Sequence, residues 1–113
     1  MKTRKQLRTL LIIAALIAAA SAVRAADVKE IWDKNCASCH GKDGKGQTKM
    51  GAKLGVKDLT DAKVQDEFKD DQAFKSTKEG IKDKDGKIKM KPAENLTDDE
   101  IKALVALVRT LKK

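Results

Sequence analysis

The chain has 113 residues, enough for one small domain. Its formal charge is +8, but five basic side chains (Lys2, Arg4, Lys5, Arg8, Arg24) and no acidic one lie in the first 25 residues, which leaves 20 basic and 17 acidic groups beyond them. That near balance, with Lys interleaved among Asp and Glu and only Trp32, Phe68 and Phe74 to stack on bases, argues against a nucleic-acid-binding protein.

Residues 1–9 are basic, and Leu10 to Ala20 is an unbroken apolar run of eleven. A transmembrane helix needs about twenty such residues. A basic start followed by a shorter apolar run fits a secretory signal peptide. Val23-Arg24-Ala25 places tolerated residues at the cleavage positions, so cleavage is expected after Ala25 and, as second choice, after Ala22. The organisation is then a leader over 1–25 and a domain over 26–113. An uncleaved anchor is the alternative. Either way the domain is exported, in a bacterium to the periplasm.

Asp27 to Cys39 is expected as the first helix, with Asp27 as cap and Glu30 at capping-box spacing. Val28, Ile31, Trp32 and Asn35 follow helical spacing. Trp32, four residues before Cys36, shares its face and serves either as a core anchor or as a cofactor neighbour.

Cys36-Ala37-Ser38-Cys39-His40 holds both cysteines and the only histidine. On a helical turn positions i, i+3 and i+4 fall on one face, so two thiols and an imidazole converge. Zinc would want a fourth ligand. A thioredoxin-like redox pair would want alternating strands and helices, which are not seen. A disulfide is allowed in an exported protein but does not call for the adjacent histidine. Cys-x-x-Cys-His is the spacing for covalent attachment of a c-type haem. Cys36 and Cys39 would each add to a vinyl group, and His40 would reach the iron. A domain of about 88 residues buries only a modest share of its surface, and a covalent cofactor would staple it.

Gly41 to Gly55 contains five of the seven glycines and is expected to be a loop. It lacks the ending of a phosphate loop and the alternating acids of a calcium loop. The expected role is to let backbone pass close to a flat cofactor. Thr60 to Phe68 is expected as a short helix capped by Thr60 or Asp61. A second runs from Asp70 or Asp71 to Glu79, with Gly80 closing it. Ile81 to Pro92 is expected as a loop turning at Asp83-Lys84-Asp85-Gly86. Thr97-Asp98-Asp99-Glu100 is a capping box, and Leu96 and Ile101 have staple spacing. The last helix runs to about Leu111 with Ile101, Leu104, Val105, Val108 and Leu111 as its apolar stripe. Arg109, Lys112 and Lys113 suit its C-terminal dipole. No alternating strand is expected.

His40 being the sole histidine, two-histidine ligation within one chain is excluded. Met50 is only ten residues past His40. Met90 is fifty residues on, far enough to circle a porphyrin and return on its other face. Met90 is therefore the preferred second iron ligand over Met50, which would otherwise be a surface or gap-filling residue.

These features together resemble the small monohaem class I cytochromes c of bacteria. The resemblance covers Asp27 to Lys113 and is carried by Cys36-Ala-Ser-Cys39-His40, by Met90 in a late loop, and by Leu96-Thr-Asp-Asp-Glu-Ile-Lys-Ala-Leu-Val-Ala-Leu-Val-Arg-Thr-Leu111. It implies an all-α fold of about four helices around one covalent haem, the first and last helices crossing and a middle helix closing the pocket. It also implies Cys36 and Cys39 as thioether cysteines, with His40 and Met90 as axial ligands. Three details depart from the family pattern: Lys91 separates Met90 from Pro92, Leu107 stands where an aromatic is common, and no proline follows the histidine closely.

With both axial positions filled, the expected activity is outer-sphere electron transfer by a monomeric carrier rather than catalysis. A backbone carbonyl is expected to accept from the far nitrogen of His40. Redox partner proteins are expected, with transient contact to membrane-bound redox complexes. Lys34, Lys42, Lys45, Lys49 and Lys91 either steer an acidic partner or serve as solubilising surface. Competing readings are a gas- or peroxide-reactive haem protein with an open distal site, and a haem subunit docked to a membrane oxidoreductase.

Overall fold

The computed structural model describes residues 23–113. The expected leader therefore lies almost wholly outside the described residues. Among the described residues there are six helices and one two-stranded hairpin: α1 Ala25–Asn35, α2 Ala37–His40, α3 Lys49–Leu54, α4 Ala62–Asp66, α5 Asp70–Glu79, β1 Ile81–Lys82, β2 Ile88–Met90 and α6 Asp98–Thr110. The fold is all-α, as expected. Two helices exceed the expected four, and both arise near the Cys-His motif.

The first helix starts earlier than expected. Arg24 is its N-cap, with no side-chain cap bond, and Asp27 falls in the first turn instead of capping. Ala25 and Ala26 are strong helix formers and extend the helix backwards. Asp27 then sits where a carboxylate favours the positive helix end. Val23 packs against the core, so the expected boundary at residue 25 falls inside packed structure. The helix also stops sooner. Asn35 Nδ2 donates to Ile31 O at 2.9 Å, and the chain bends at Cys36 (φ −119, ψ −35) before α2 begins. His40 N still donates to Cys36 O at 2.9 Å, so one helical turn is kept across the motif.

The glycine-rich segment is not all loop. Thr48 caps α3, its hydroxyl accepting from Gly51 N at 2.8 Å. The same hydroxyl donates to Cys39 O at 2.8 Å, which ties α3 to the motif. Gly51 is buried, and a Cβ there would lie 2.5 Å from both Cys39 O and Gly46 O. The glycine thus lets backbone approach backbone, where the sequence suggested approach to a flat cofactor.

Further along, Asp61 caps α4 through Lys63 N, and Gly80 closes α5 at φ +79. The expected loop over 81–92 contains an antiparallel hairpin pairing Ile81 with Met90 and Lys82 with Ile88. Its turn is set by Asp83, whose carboxylate accepts from Asp85 N and Lys87 N at 2.9 Å each. The strands are too short and too exposed for a hydrophobic alternation, which is why no strand was legible. The expected capping box of α6 is present: Thr97 N donates to Glu100 Oε1 at 2.9 Å, and Glu100 N to Thr97 Oγ1 at 3.2 Å.

α6 packs against α1 and α5. Ile101, Leu104 and Val105 of its apolar stripe are buried, and Leu104 joins Val28 and Trp32 in the core. Ile31, Leu96, Leu107, Val108 and Leu111 pack around that cluster, so Leu107 fills its place as an aliphatic contact. Lys113 N donates to Thr60 O at 2.9 Å, holding the chain end against the segment before α4.

Candidate functional site

A cleft of about 250 Å³, partly open to solvent, lies between α1–α2, α5 and α6. That volume is near the lower end of small-molecule and cofactor sites, roughly 300–1,000 Å³. Cys36 and His40 line it from one side of the sequence, Met90 from the other. Its walls are mainly apolar: Trp32, Leu59, Phe68, Leu104, Val105 and Val108, with Gln72, Ser76 and Thr77 of α5 contributing polar groups.

The expected site residues are placed unequally. Cys36, His40 and Met90 share the cleft; Cys39 is half-buried beside it and is not among the lining residues. The two thiols are free and unbridged. Burial, with the neighbouring Cys39 adding to it, pushes the Cys36 thiol up to about 11. Met50 is 43 % exposed on α3 and does not line the cleft.

Trp32 is the expected core anchor and reaches the cleft as well. It is 3 % exposed within the core and also lines the cleft. Its Nε1 donates to Gly41 O at 3.1 Å, and its ring centroid lies 5.7 Å from that of His40 at a tilt of 38°. The indole thereby fixes the backbone just after His40 and packs against the imidazole.

Burial lowers the His40 pKa and favours the neutral ring, the form that can donate a lone pair to a metal. The expected carbonyl acceptor for this ring is not found. His40 Nδ1 is buried without a hydrogen-bond partner among the described residues. The carbonyls adjacent to His40 in sequence are already engaged: Cys39 O by Thr48, His40 O by Gly46 N at 2.7 Å, and Gly41 O by Trp32 and Gly44 N. A buried polar atom without a partner costs about 1–3 kcal/mol. A neutral imidazole and two free thiols at an apolar cleft are a donor set that suits a covalent haem. Zinc is poorly served: no cluster of three or more His, Cys, Asp or Glu suited to a metal ion occurs among the described residues.

Sequence reasoning missed several contributors. Thr48 and Gly51 close α3 onto the motif carbonyl. Gln65 is 3 % exposed, and its Nε2 donates to Leu59 O (2.7 Å) and Val108 O (2.8 Å), both belonging to residues that line the cleft. Arg109, expected only as a dipole partner, bonds to Gln65, Phe68 and Asp70. No local sequence pattern marks Gln65; its burial emerges only in the fold, where its polar atoms are paired.

Comparison with known proteins agrees with this site. The family model described as Cytochrome c matches residues 25–112. A solved structure, the KustC0563 c-type cytochrome, is similar over 75 % of this chain and 96 % of its own, at 35 % identity and a TM-score of 0.64. No curated protein matches the sequence. The family binds covalently attached haem c, and Cys36-Ala-Ser-Cys39-His40 has the family's attachment spacing. The chain belongs to the cytochrome c family, as a small class I member of these haem-based electron carriers.

Proposed function

We propose that the protein is an exported, diffusible one-electron carrier in which Cys36 and Cys39 hold the haem by thioether bonds and His40 and Met90 are the axial ligands. The observation that carries the ligand assignment is that His40 and Met90 line one cleft while Met50 lies exposed outside it. The haem iron supplies a ferric–ferrous couple, and a methionine opposite a histidine places its potential high relative to more electron-donating ligand sets.

The chain's own part is to hold and shield. Trp32, Leu104, Val105 and Val108 keep water from the cleft, and burial keeps His40 unprotonated. Backbone bonds around the motif fix the His40 ring before any electron moves. With no vacant axial position, the reading is a carrier rather than an oxygen- or peroxide-reactive site.

Export rests on the basic and apolar leader. Val23 packs on the core, and the Arg24 carbonyl accepts from Val28 N at 3.1 Å. Both contacts favour cleavage after Ala22, the sequence's second choice, over cleavage after Ala25. The mature mass distinguishes the two. In the periplasm the partners would be donor and acceptor redox proteins, soluble or membrane-bound. Of the lysines considered for steering them, Lys34 is paired with Glu30 at 2.8 Å, so Lys42, Lys49 and Lys91 are the better candidates.

The deciding experiment is the visible spectrum of the exported protein, oxidised and reduced, with its mass. A six-coordinate low-spin c-type spectrum, a weak methionine–iron band and one haem's added mass are expected. The double variant Cys36→Ser/Cys39→Ser should lose the added mass. A high-spin ferric spectrum that binds carbon monoxide readily would instead show an open distal site.

A further inference from the structure

The wall of the cleft formed by Leu59, Phe68 and the start of α5 has little core of its own. α4 is five residues long and Phe68 only half-buried. This wall is held by a polar node. Arg109 Nη1 donates to Gln65 O at 2.7 Å and Gln65 Oε1 at 2.9 Å, Nη2 to Phe68 O at 2.8 Å, and Nε to Asp70 Oδ1 at 2.7 Å. The guanidinium also lies 4.4 Å from the centroid of the Phe68 ring. Gln65, itself buried, passes the connection on to Leu59 O and Val108 O. One planar fork thus satisfies carbonyls at the end of α4 that have no helical partner, and it joins α4, α5 and α6.

We infer that Arg109, with Gln65, is a positioning residue for the haem cleft: it sets where Leu59 and Phe68 stand and so how far water is excluded from the cofactor. This rests on the reading that the cleft holds the haem. The bonds are charge-assisted and partly sheltered, Arg109 being 32 % exposed, whereas its partner Asp70 is 71 % exposed. The carbonyl and glutamine contacts therefore matter more than the ion pair.

The test compares Arg109→Lys with Asp70→Asn in the haem-loaded protein. Lysine keeps the charge and the stem but cannot reproduce the fork. In Arg109→Lys, amide-exchange protection over residues 68–77 should fall at least about tenfold. The reduction potential should shift downward, because water nearer the haem favours the more charged ferric state. Asp70→Asn should leave the potential unchanged. An Arg109→Lys protein that melts earlier but keeps the native potential would reduce the node to a stability contact and overturn the inference. Equal potential shifts in both variants would assign the effect to the ion pair and overturn it too. If Arg109→Lys does not fold, NMR of the native protein decides. Slowly exchanging, separately resolved Arg109 guanidinium and Gln65 amide protons are expected, and fast-exchanging averaged signals contradict the node. The native protein's added mass and haem spectrum test the haem reading separately.

Discussion

The wall that carries Cys36 and His40 and the wall that carries Met90 are built over different distances along the chain. Around the motif, closure is local. Trp32 reaches Gly41 and Thr48 reaches Cys39, each across nine residues. The opposite wall is closed from afar. Arg109 reaches Gln65 across 44 residues, Ala93 N donates to Thr77 O at 2.9 Å, and Met90 ends a hairpin whose Ile81 and Ile88 are 43 % and 50 % exposed. The local wall resembles a rigid mount, and the remote wall a panel fastened at a few points. A ligand on the first should be hard to displace by changes elsewhere, and a ligand on the second easy.

The largest expected effect comes from removing the proposed distal ligand. Met90→Ala should abolish the methionine–iron band, yield a high-spin or water-ligated ferric haem, and lower the potential by on the order of a tenth of a volt or more, within the roughly 0.8 V that axial ligands span. Met50→Ala should leave spectrum and potential as they were, because Met50 is exposed and outside the cleft. Reversed outcomes would move the ligand to the local wall and erase the comparison.

Two glycines sharpen it. In Gly51→Ala the new Cβ would meet Cys39 O and Gly46 O at 2.5 Å, both backbone. Nothing nearby can swing away, so a cost of about 2–3 kcal/mol is expected. For a domain of this size that is a fall in melting temperature of roughly 8–20 °C. Gly80→Ala forces a side chain into φ +79 and toward Met90 O at 2.6 Å. Its cost should be about 1–3 kcal/mol. Its signature should be different: a weakened methionine–iron band, because the displaced backbone is that of Met90 itself. A Gly51→Ala protein that loses the band while Gly80→Ala keeps it would show the distances in the chain to be irrelevant.

The same difference explains what was legible in the sequence. Cys36, Cys39 and His40 carry the family's attachment spacing and the capping box at Thr97 follows local chemistry, so both patterns were visible in the sequence. Met90, the proposed second ligand, could be preferred only by eliminating other residues and counting chain length. The hairpin that presents it has no apolar alternation, since both strands are exposed. α3 was hidden because Thr48 caps a helix that includes a glycine, and that glycine is demanded by the Cys39 carbonyl, a contact no local pattern announces. Gln65 and Arg109 meet through folding alone. The carbonyl expected for His40 failed for a related reason: three nearby carbonyls were each claimed by donors whose approach only the fold reveals.

Acid should act on the local wall first. Burial places the folded pKa of His40 below its ordinary value, while the unfolded chain titrates near the usual value of about 6.5. The unfolded state therefore binds the extra proton over that interval, and stability falls as pH falls there. The contribution of His40 is complete above about pH 6.5 and is lost as pH falls through the depressed folded value. Denaturant unfolding of the chain without attached haem, the Cys36→Ser/Cys39→Ser variant, at several pH values checks this. A stability that rises from pH 7 to pH 5 would contradict it.

The smallest effect concerns a contact that bridges the two walls on the surface. Lys57, just after α3, pairs with Glu67, just after α4, at 2.5 Å. The geometry is close, but the side chains are 63 % and 52 % exposed, so water and salt screen the attraction and both chains give up rotamer freedom to hold it. Lys57→Ala should cost no more than about 1 kcal/mol, less at high salt, with the potential unmoved. The Arg109 node also crosses between chain segments, yet it is anchored on carbonyls and a buried glutamine that cannot turn to solvent. If Lys57→Ala destabilised the fold as much as Arg109→Lys, exposure would not govern these contacts. The remote wall would then be held by surface charge, and its stability should collapse in salt together with the methionine–iron band.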